Sequence, residues 1–240
     1  MMRLNKFLAH AGIASRRKCD DLISAGFVRV NGTIVRELGV TIDENKDTVA
    51  FKGKEVRLIT EYIYVLLNKP KGAVSTASDE FKRNTVLGLI GIPERIYPVG
   101  RLDYDTTGVM LLTNDGELTN RLLHPKYKTE KIYHALINQV VRPIDLHKLQ
   151  KGIELDDEKT LPCEIREIRI VDNCSYLEIK LREGRNRQIR RMFEALNYSV
   201  EELDRISFAG ITAGRLQPGK WRYLTQNELE ELKEGVRYGY

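Results

Sequence analysis

The chain has 240 residues, 42% of them hydrophobic, and a formal charge of +5 from 39 basic and 34 acidic side chains. That apolar share suffices for the core of one large domain, or of a large domain with a small companion. No apolar run approaches the roughly 20 residues of a membrane helix, and Met1-Met2-Arg3-Leu4-Asn5-Lys6 lacks an apolar stretch of signal-peptide length, so a cytoplasmic protein with no membrane contact is expected. Cys19, Cys163 and Cys174 are odd in number, scattered and not in metal-ligand spacing, which points to free thiols in a reducing compartment and to no zinc site. The charge is unevenly placed. Residues 1–36 hold seven Lys/Arg and two acids, whereas the rest of the chain carries 32 of each. A polyanion-binding head on an electrically neutral body is the reading.

Leu4, Phe7, Leu8 and Ala11 follow helical spacing, and Gly12 stops that helix. Ser15 is a good N-cap for a second helix, with Cys19, Leu22 and Ile23 on one face and Gly26 past its end. Asn31-Gly32 between Phe27-Val28-Arg29-Val30 and Thr33-Ile34-Val35 is a strong hairpin signal. A second hairpin is expected from Thr48–Phe51, a turn near Lys52-Gly53-Lys54, and Glu55–Leu58. Such a unit is small enough to be marginally stable alone.

Arg3-Leu4-Asn5-Lys6-Phe7-Leu8, Gly12, Ser15-Arg16-Arg17, Leu22-Ile23, Gly26 and Val28-Arg29-Val30-Asn31-Gly32 together resemble the small RNA-binding domain first known from ribosomal protein S4. The resemblance covers residues 2 to about 50. It implies that Arg16, Arg17 and Lys18 at the start of the second helix, with Arg29 and Asn31, face RNA, and Arg3, Lys6 and Ser15 are grouped with them. A helix N-terminus offers unpaired N–H groups and a positive dipole end to phosphate. The alternative is a solvated basic face.

A domain boundary is placed at residue 60, giving a head of residues 1–60 and a body of 61–240. Tyr62–Leu67 reads as a buried strand, ended by a turn at Asn68-Lys69-Pro70-Lys71-Gly72 whose lysines either touch phosphate or form a plain basic turn. Thr85–Ile90 reads as a short helix. Gly100-Arg101-Leu102-Asp103-Tyr104-Asp105-Thr106-Thr107-Gly108 is a loop between glycines, followed by a strand over Val109–Thr113 and a stop at Asn114-Asp115-Gly116. It presents two carboxylates against a rigid strand. Glu117–His124 is expected to be a helix with Leu118, Leu122 and Leu123 inward. In Lys131–Ile137, Tyr133, Ala135 and Ile137 share a face. Pro143–Lys151 is a helix, and Cys163–Val171 pairs with Ser175–Leu181 through Asp172-Asn173-Cys174.

Residues 182–191 hold five arginines and feed an amphipathic helix with Ile189, Met192, Phe193 and Leu196 on one face. Arginine disfavours a helix N-terminus unless a phosphate or carboxylate is present. A strand near Leu203–Phe208, a Gly/Pro-rich turn, Trp221-Arg222-Tyr223 and a capping box at Thr225 and Glu228 complete the chain.

Asp103 and Asp105 have three readings. They are the first and third positions of a partial calcium loop, in which Asn114 stands where a bidentate Glu is needed. Asp105 braces a turn through backbone N–H groups with Thr106 and Thr107. Or Asp103 is a nucleophile, kept ionised by an arginine, with Arg101 and Arg185 as candidates.

Gly100-Arg101-Leu102-Asp103, Asp105-Thr106-Thr107-Gly108 and Leu111–Gly116 resemble the central motif of the pseudouridine synthases, in their RsuA-type branch. Leu67–Gly72 resembles the first motif of that family, Lys131-Ile132-Tyr133 its Lys-x-Tyr segment, and Glu183–Met192 its third motif. The resemblance runs from about residue 62 to 224. It implies an α+β fold with a mostly antiparallel central sheet, behind a small head of helices and hairpins. It implies that Asp103 is the nucleophile, Tyr133 stacks on the target uracil, Arg185 pairs with Asp103, Arg101 fills the space left by the flipped base, and Leu181 packs near the base. Arg187 and Arg190 are expected to bind substrate. The reaction is an isomerisation and is expected to need no cofactor and no metal. The expected substrate is ribosomal RNA with a flipped uridine, that of the large subunit first and of the small subunit next, handled by a monomer. A non-catalytic RNA-binding assembly factor and a metal-dependent phosphodiesterase using Asp103, Asp105 and Asp115 are the competing functions.

Overall fold

The computed structural model describes residues 1–76, 81 and 83–238, the last three by backbone alone. Its chain forms two units, Met1–Tyr62 with Asn114–Gly116, and Ile63–Thr113 with Glu117–Tyr240.

The first unit opens with helices Leu4–His10 and Arg16–Ser24. Ser15 caps the second, its Oγ accepting from the Lys18 amide at 3.2 Å. The inward faces contribute Leu4, Phe7, Leu8, Cys19 and Ile23 to a core completed by Val28, Ile42 and Val49. The sheet order is Thr33–Val35, Val28–Val30, Val49–Phe51, Lys54–Glu55. Asn31 and Gly32 take φ of 50° and 82°, the two positive values of a twisted two-residue hairpin turn. The second hairpin is shorter than expected: after the Val56 amide bonds to the Val49 carbonyl, the chain leaves the ladder and Leu58 packs against the core.

The second unit is built on a sheet of nine strands among the described residues. Seven run in the order Glu164–Val171, Cys174–Leu181, Lys131–Ile137, Val200–Phe208, Thr107–Thr113, Tyr64–Lys69, Trp221–Tyr223. Each neighbouring pair is antiparallel except Val200–Phe208 with Thr107–Thr113, which is parallel. This is the mixed, mostly antiparallel α+β architecture expected. From helices Pro143–Lys151 and Gln188–Glu194, Leu149, Ile189, Met192 and Phe193 join one core with Ala135, Ile137, Leu177 and Ile179 of the sheet. The last helix starts on a reciprocal capping box: the Thr225 amide donates to Glu228 Oε2 at 2.9 Å and the Glu228 amide to Thr225 Oγ1 at 3.3 Å.

Two expectations fail locally. The first body strand is Tyr64–Lys69, so Asn68 and Lys69 belong to the ladder and not to a turn. Leu123 ends the helix Gly116–Leu123 and is 45% exposed, because the face that buries Leu118 and Leu122 has rotated past it.

Candidate active site

The loop from Gly100 to Gly108 is fixed by bonds to the backbone of Leu102, Asp103, Tyr104 and Thr106. Ser75 Oγ donates to the Leu102 carbonyl at 2.6 Å and accepts from the Leu102 amide at 3.1 Å. Lys69 Nζ donates to the carbonyls of Asp103 at 3.0 Å and Thr106 at 2.8 Å, and to that of Pro70 at 3.2 Å. The Gly72 amide donates to the Tyr104 carbonyl at 2.9 Å. Lys69 is fully buried. Burial pushes its pKa down to about 8, against the opposing pull of the Asp105 and Asp103 carboxylates. A buried ammonium needs its three protons satisfied, and two loop carbonyls with that of Pro70 do so. The sequence reading of Lys69 as a phosphate contact or plain turn is therefore corrected: it is an internal clamp of the loop.

The two acids separate. Asp103 is half-buried, lines the cavity below, and its carboxylate makes no hydrogen bond or ion pair among the described residues. Asp105 is paired: Oδ2 lies 2.9 Å from Arg190 Nη2, and Oδ1 lies 3.9 Å from Arg187 Nη1. Asp105 thus braces the loop through two arginines, not through turn amides. It is also the carboxylate that the arginine-rich helix start called for.

The cavity beside the loop has a volume of about 320 Å³. Arg101, Asp103, Tyr133, Leu181, Arg185 and Arg187 all line it, so the fold brings together residues far apart in sequence. Tyr133 is half-buried and Leu181 buried, while Arg101 is exposed. Two expectations do not hold. Arg185 does not pair with Asp103. Its guanidinium donates to the carbonyls of Glu158 at 3.1 Å and Lys159 at 2.8 Å and lies 3.4 Å from Glu183, so it is turned toward the Glu154–Lys159 hairpin. Arg190 is 6% exposed and bound to the Val200 carbonyl and Asp105, which removes it from direct substrate contact.

Sequence reasoning missed two cations at this cavity. Arg205 is 3% exposed and reaches the cavity from the Val200–Phe208 strand, directly across the ladder from Tyr133. Lys131 lines the same cavity, and burial with the nearby Arg205 charge pushes its pKa down to about 8 against the pull of Glu183. Lys131 stood in a quoted motif; nothing in the local pattern around Arg205 marks it as buried.

In the first unit, Arg3, Ser15, Arg16, Arg17, Lys18 and Arg29 are exposed and Lys6 half-buried. Arg29 Nη1 donates to the Gly32 carbonyl at 2.9 Å. Asn31 is committed within the fold: Nδ2 donates to Asp47 at 2.8 Å and Oδ1 accepts from the Thr48 amide at 2.9 Å. One N–H and one lone pair of the amide are thus used within the fold, and the exposed side chain keeps the others.

Residues 63–195 match the model of the RNA pseudouridylate synthase family, and residues 2–47 match the S4 domain. The chain is 43% identical over 242 residues to ribosomal large subunit pseudouridine synthase B of Bacillus subtilis (strain 168), covering 100% of this chain and 98% of the relative. It is 44% identical over 241 residues to an uncharacterized RNA pseudouridine synthase of Aquifex aeolicus (strain VF5), covering 100% and 96%. A crystal structure of a pseudouridylate synthase superposes with a TM-score of 0.70 at 32% identity, covering 97% of this chain and 100% of the other. A cavity holding a clamped aspartate, a tyrosine and converging arginines thus sits within a full-length match, and the chain belongs to the RNA pseudouridylate synthase family.

Proposed function

We propose that this chain isomerises one uridine of large-subunit ribosomal RNA to pseudouridine, with Asp103 as the nucleophile. The observation that carries the reading is the loop itself. Lys69 and Ser75 hold its backbone and Arg190 holds the Asp105 side chain, while the Asp103 carboxylate is left unpaired at a cavity lined by Tyr133. An unpaired carboxylate on a rigid support is free to attack carbon. Tyr133 offers its ring to a base flipped out of the RNA, and Leu181 supplies the apolar wall beside it. Arg101 is placed to enter the space the base vacates. Arg187, exposed and lining the cavity, meets the RNA backbone, and Arg185 keeps the Glu154–Lys159 hairpin against the site. The residues 1–60 act as an RNA-binding domain through Arg16, Arg17 and Lys18. Isomerisation transfers nothing out of the substrate, so these side chains suffice without a cofactor. The choice of the large-subunit RNA follows the Bacillus subtilis relative. We place the work in the cytoplasm, in a monomer; no helix among the described residues is long and apolar enough to cross a membrane.

The test is to map pseudouridines in ribosomal RNA from cells with and without the protein. One large-subunit position lost on deletion, and restored by the wild type but not by Asp103→Asn, is expected. An unchanged map overturns the proposal.

A further inference from the structure

We propose that Arg205 and Lys131 form a cationic floor in the cavity that binds a carbonyl oxygen of the target uracil and stabilises the negative charge the ring acquires during isomerisation. This rests on the proposed reaction above and assigns two residues that it leaves unused.

Four observations support the pair. Arg205 is almost wholly buried, yet the one hydrogen bond it makes among the described residues is from Nε to the Val109 carbonyl at 2.8 Å; Nη2 is buried with no partner. A guanidinium kept dry with unused donors is costly unless an acceptor arrives. Lys131 Nζ likewise has one acceptor, the Thr129 carbonyl at 2.8 Å. Both cations lie over the Phe208 ring, at 4.7 Å for Arg205 and 5.8 Å for Lys131, which gathers two like charges at one wall of the cavity. Finally, the ladder puts Arg205 directly opposite Tyr133, so the two side chains leave the same face of the sheet, and both line the cavity.

The chemistry needs such a site. If Asp103 attacks the sugar carbon C1′, the C1′–N1 bond breaks and its electron pair stays on the base, spread over O2 and O4. If Asp103 attacks ring carbon C6, the C5=C6 pair moves toward C5 and O4. Either way, charge grows on carbonyl oxygens. On both routes the C1′–N1 bond breaks and the C5–C1′ bond forms, and the Asp103 carboxylate leaves, from C1′ as C5 attacks it or from C6 as the C5=C6 bond re-forms; C5 loses a proton and N1 gains one, so the product is an isomer and no oxidant or reductant enters. Fixed cations in a site shielded from water favour that charge strongly. They also discriminate by base. Cytosine carries an amino donor where uracil has O4, and two donors facing a donor repel it.

The test uses the full chain and single-turnover kinetics on an RNA fragment holding the target uridine, with RNA affinity measured alongside. Arg205→Met is expected to slow isomerisation by about a hundredfold with RNA affinity changed less than about threefold, and Arg205→Lys to recover part of the rate. Because Arg205 is buried, a second arm uses wild-type protein and the Lys131→Met variant with RNA carrying 2-thiouridine or 4-thiouridine at the target. Sulfur is the poorer acceptor, so one thio-substitution should slow the wild type, and that effect should shrink in the variants. Rates within fivefold of wild type in a folded Arg205→Met variant, or a thio effect identical in wild type and Lys131→Met, overturn the inference. Wild-type protein that forms no pseudouridine at all defeats the proposed function instead, so the two failures are distinct.

Discussion

Gly108 faces Arg205 across the parallel pairing of the sheet, so closely that a Cβ on Gly108 would lie 2.7 Å from the Arg205 amide nitrogen. Gly108 also holds φ of +104°, which a side chain disfavours. The contact brings the Asp103 loop and the Arg205 strand to the same cavity. Gly108→Ala is expected to cost about 3 kcal/mol or more, from overpacking against backbone plus strain, read as a fall in the urea midpoint. A loss below about 1 kcal/mol would mean the strands are not held at this distance.

The two loop acids should part company on substitution. Asp103→Asn is expected to abolish isomerisation, leave RNA affinity nearly intact and change stability by less than about 1 kcal/mol, since its carboxylate loses no hydrogen bond or close ion pair among the described residues, only its longer-range attraction to Lys69. Asp105→Asn leaves the buried Arg190 without its counter-charge and is expected to cost about 2 kcal/mol, a buried-pair value reduced for the exposure of Asp105. Thermal and urea unfolding beside a pseudouridine assay decide it; equal stability of the two variants would contradict the assignment.

Lys69 gives a pH dependence of defined sign. Its folded pKa of about 8 lies below the ordinary 10.5, so the folded state binds fewer protons than the unfolded state between those values. Its contribution to stability is complete above pH 10.5 and is lost as pH falls through 8. The stability of the wild type relative to Lys69→Met should therefore rise from pH 8 to pH 10. Urea titrations of both proteins across that range provide the check; a flat difference would show the lysine to be solvated, and a falling one would show its ammonium stabilised by the loop instead of destabilised by burial.

In the head, exposed arginines and a committed asparagine predict opposite signatures. Changing Arg16, Arg17 and Lys18 together to Ala in the full chain should weaken RNA binding and lower the slope of log affinity against log salt by about 2, as for three phosphate contacts. Asn31→Ala should leave that slope unchanged and lower the stability of the head by about 1–2 kcal/mol, through loss of its bonds to Asp47 and Thr48. A salt slope that falls with Asn31→Ala would show it to face RNA.

The sequence by itself determined the local elements and the chemical inventory. Periodicity and capping signals placed both head helices, the Asn31-Gly32 hairpin, Lys131–Ile137 with Tyr133 on its buried face, Pro143–Lys151 and the Thr225–Glu228 box, because each rests on interactions within a few residues. The family resemblance singled out Asp103, Tyr133, Leu181 and Arg185, and the folded chain lines one cavity with them. Only the tertiary structure decided which charge meets which. Asp105 takes Arg190, Arg185 takes the Glu154–Lys159 hairpin, and Lys69 turns inward to the Asp103 carbonyl. Arg205 is buried by a parallel pairing of strands about a hundred residues apart. Such partners are set by strand order and by the desolvation of each charge, and neither is written in the spacing of residues along the chain.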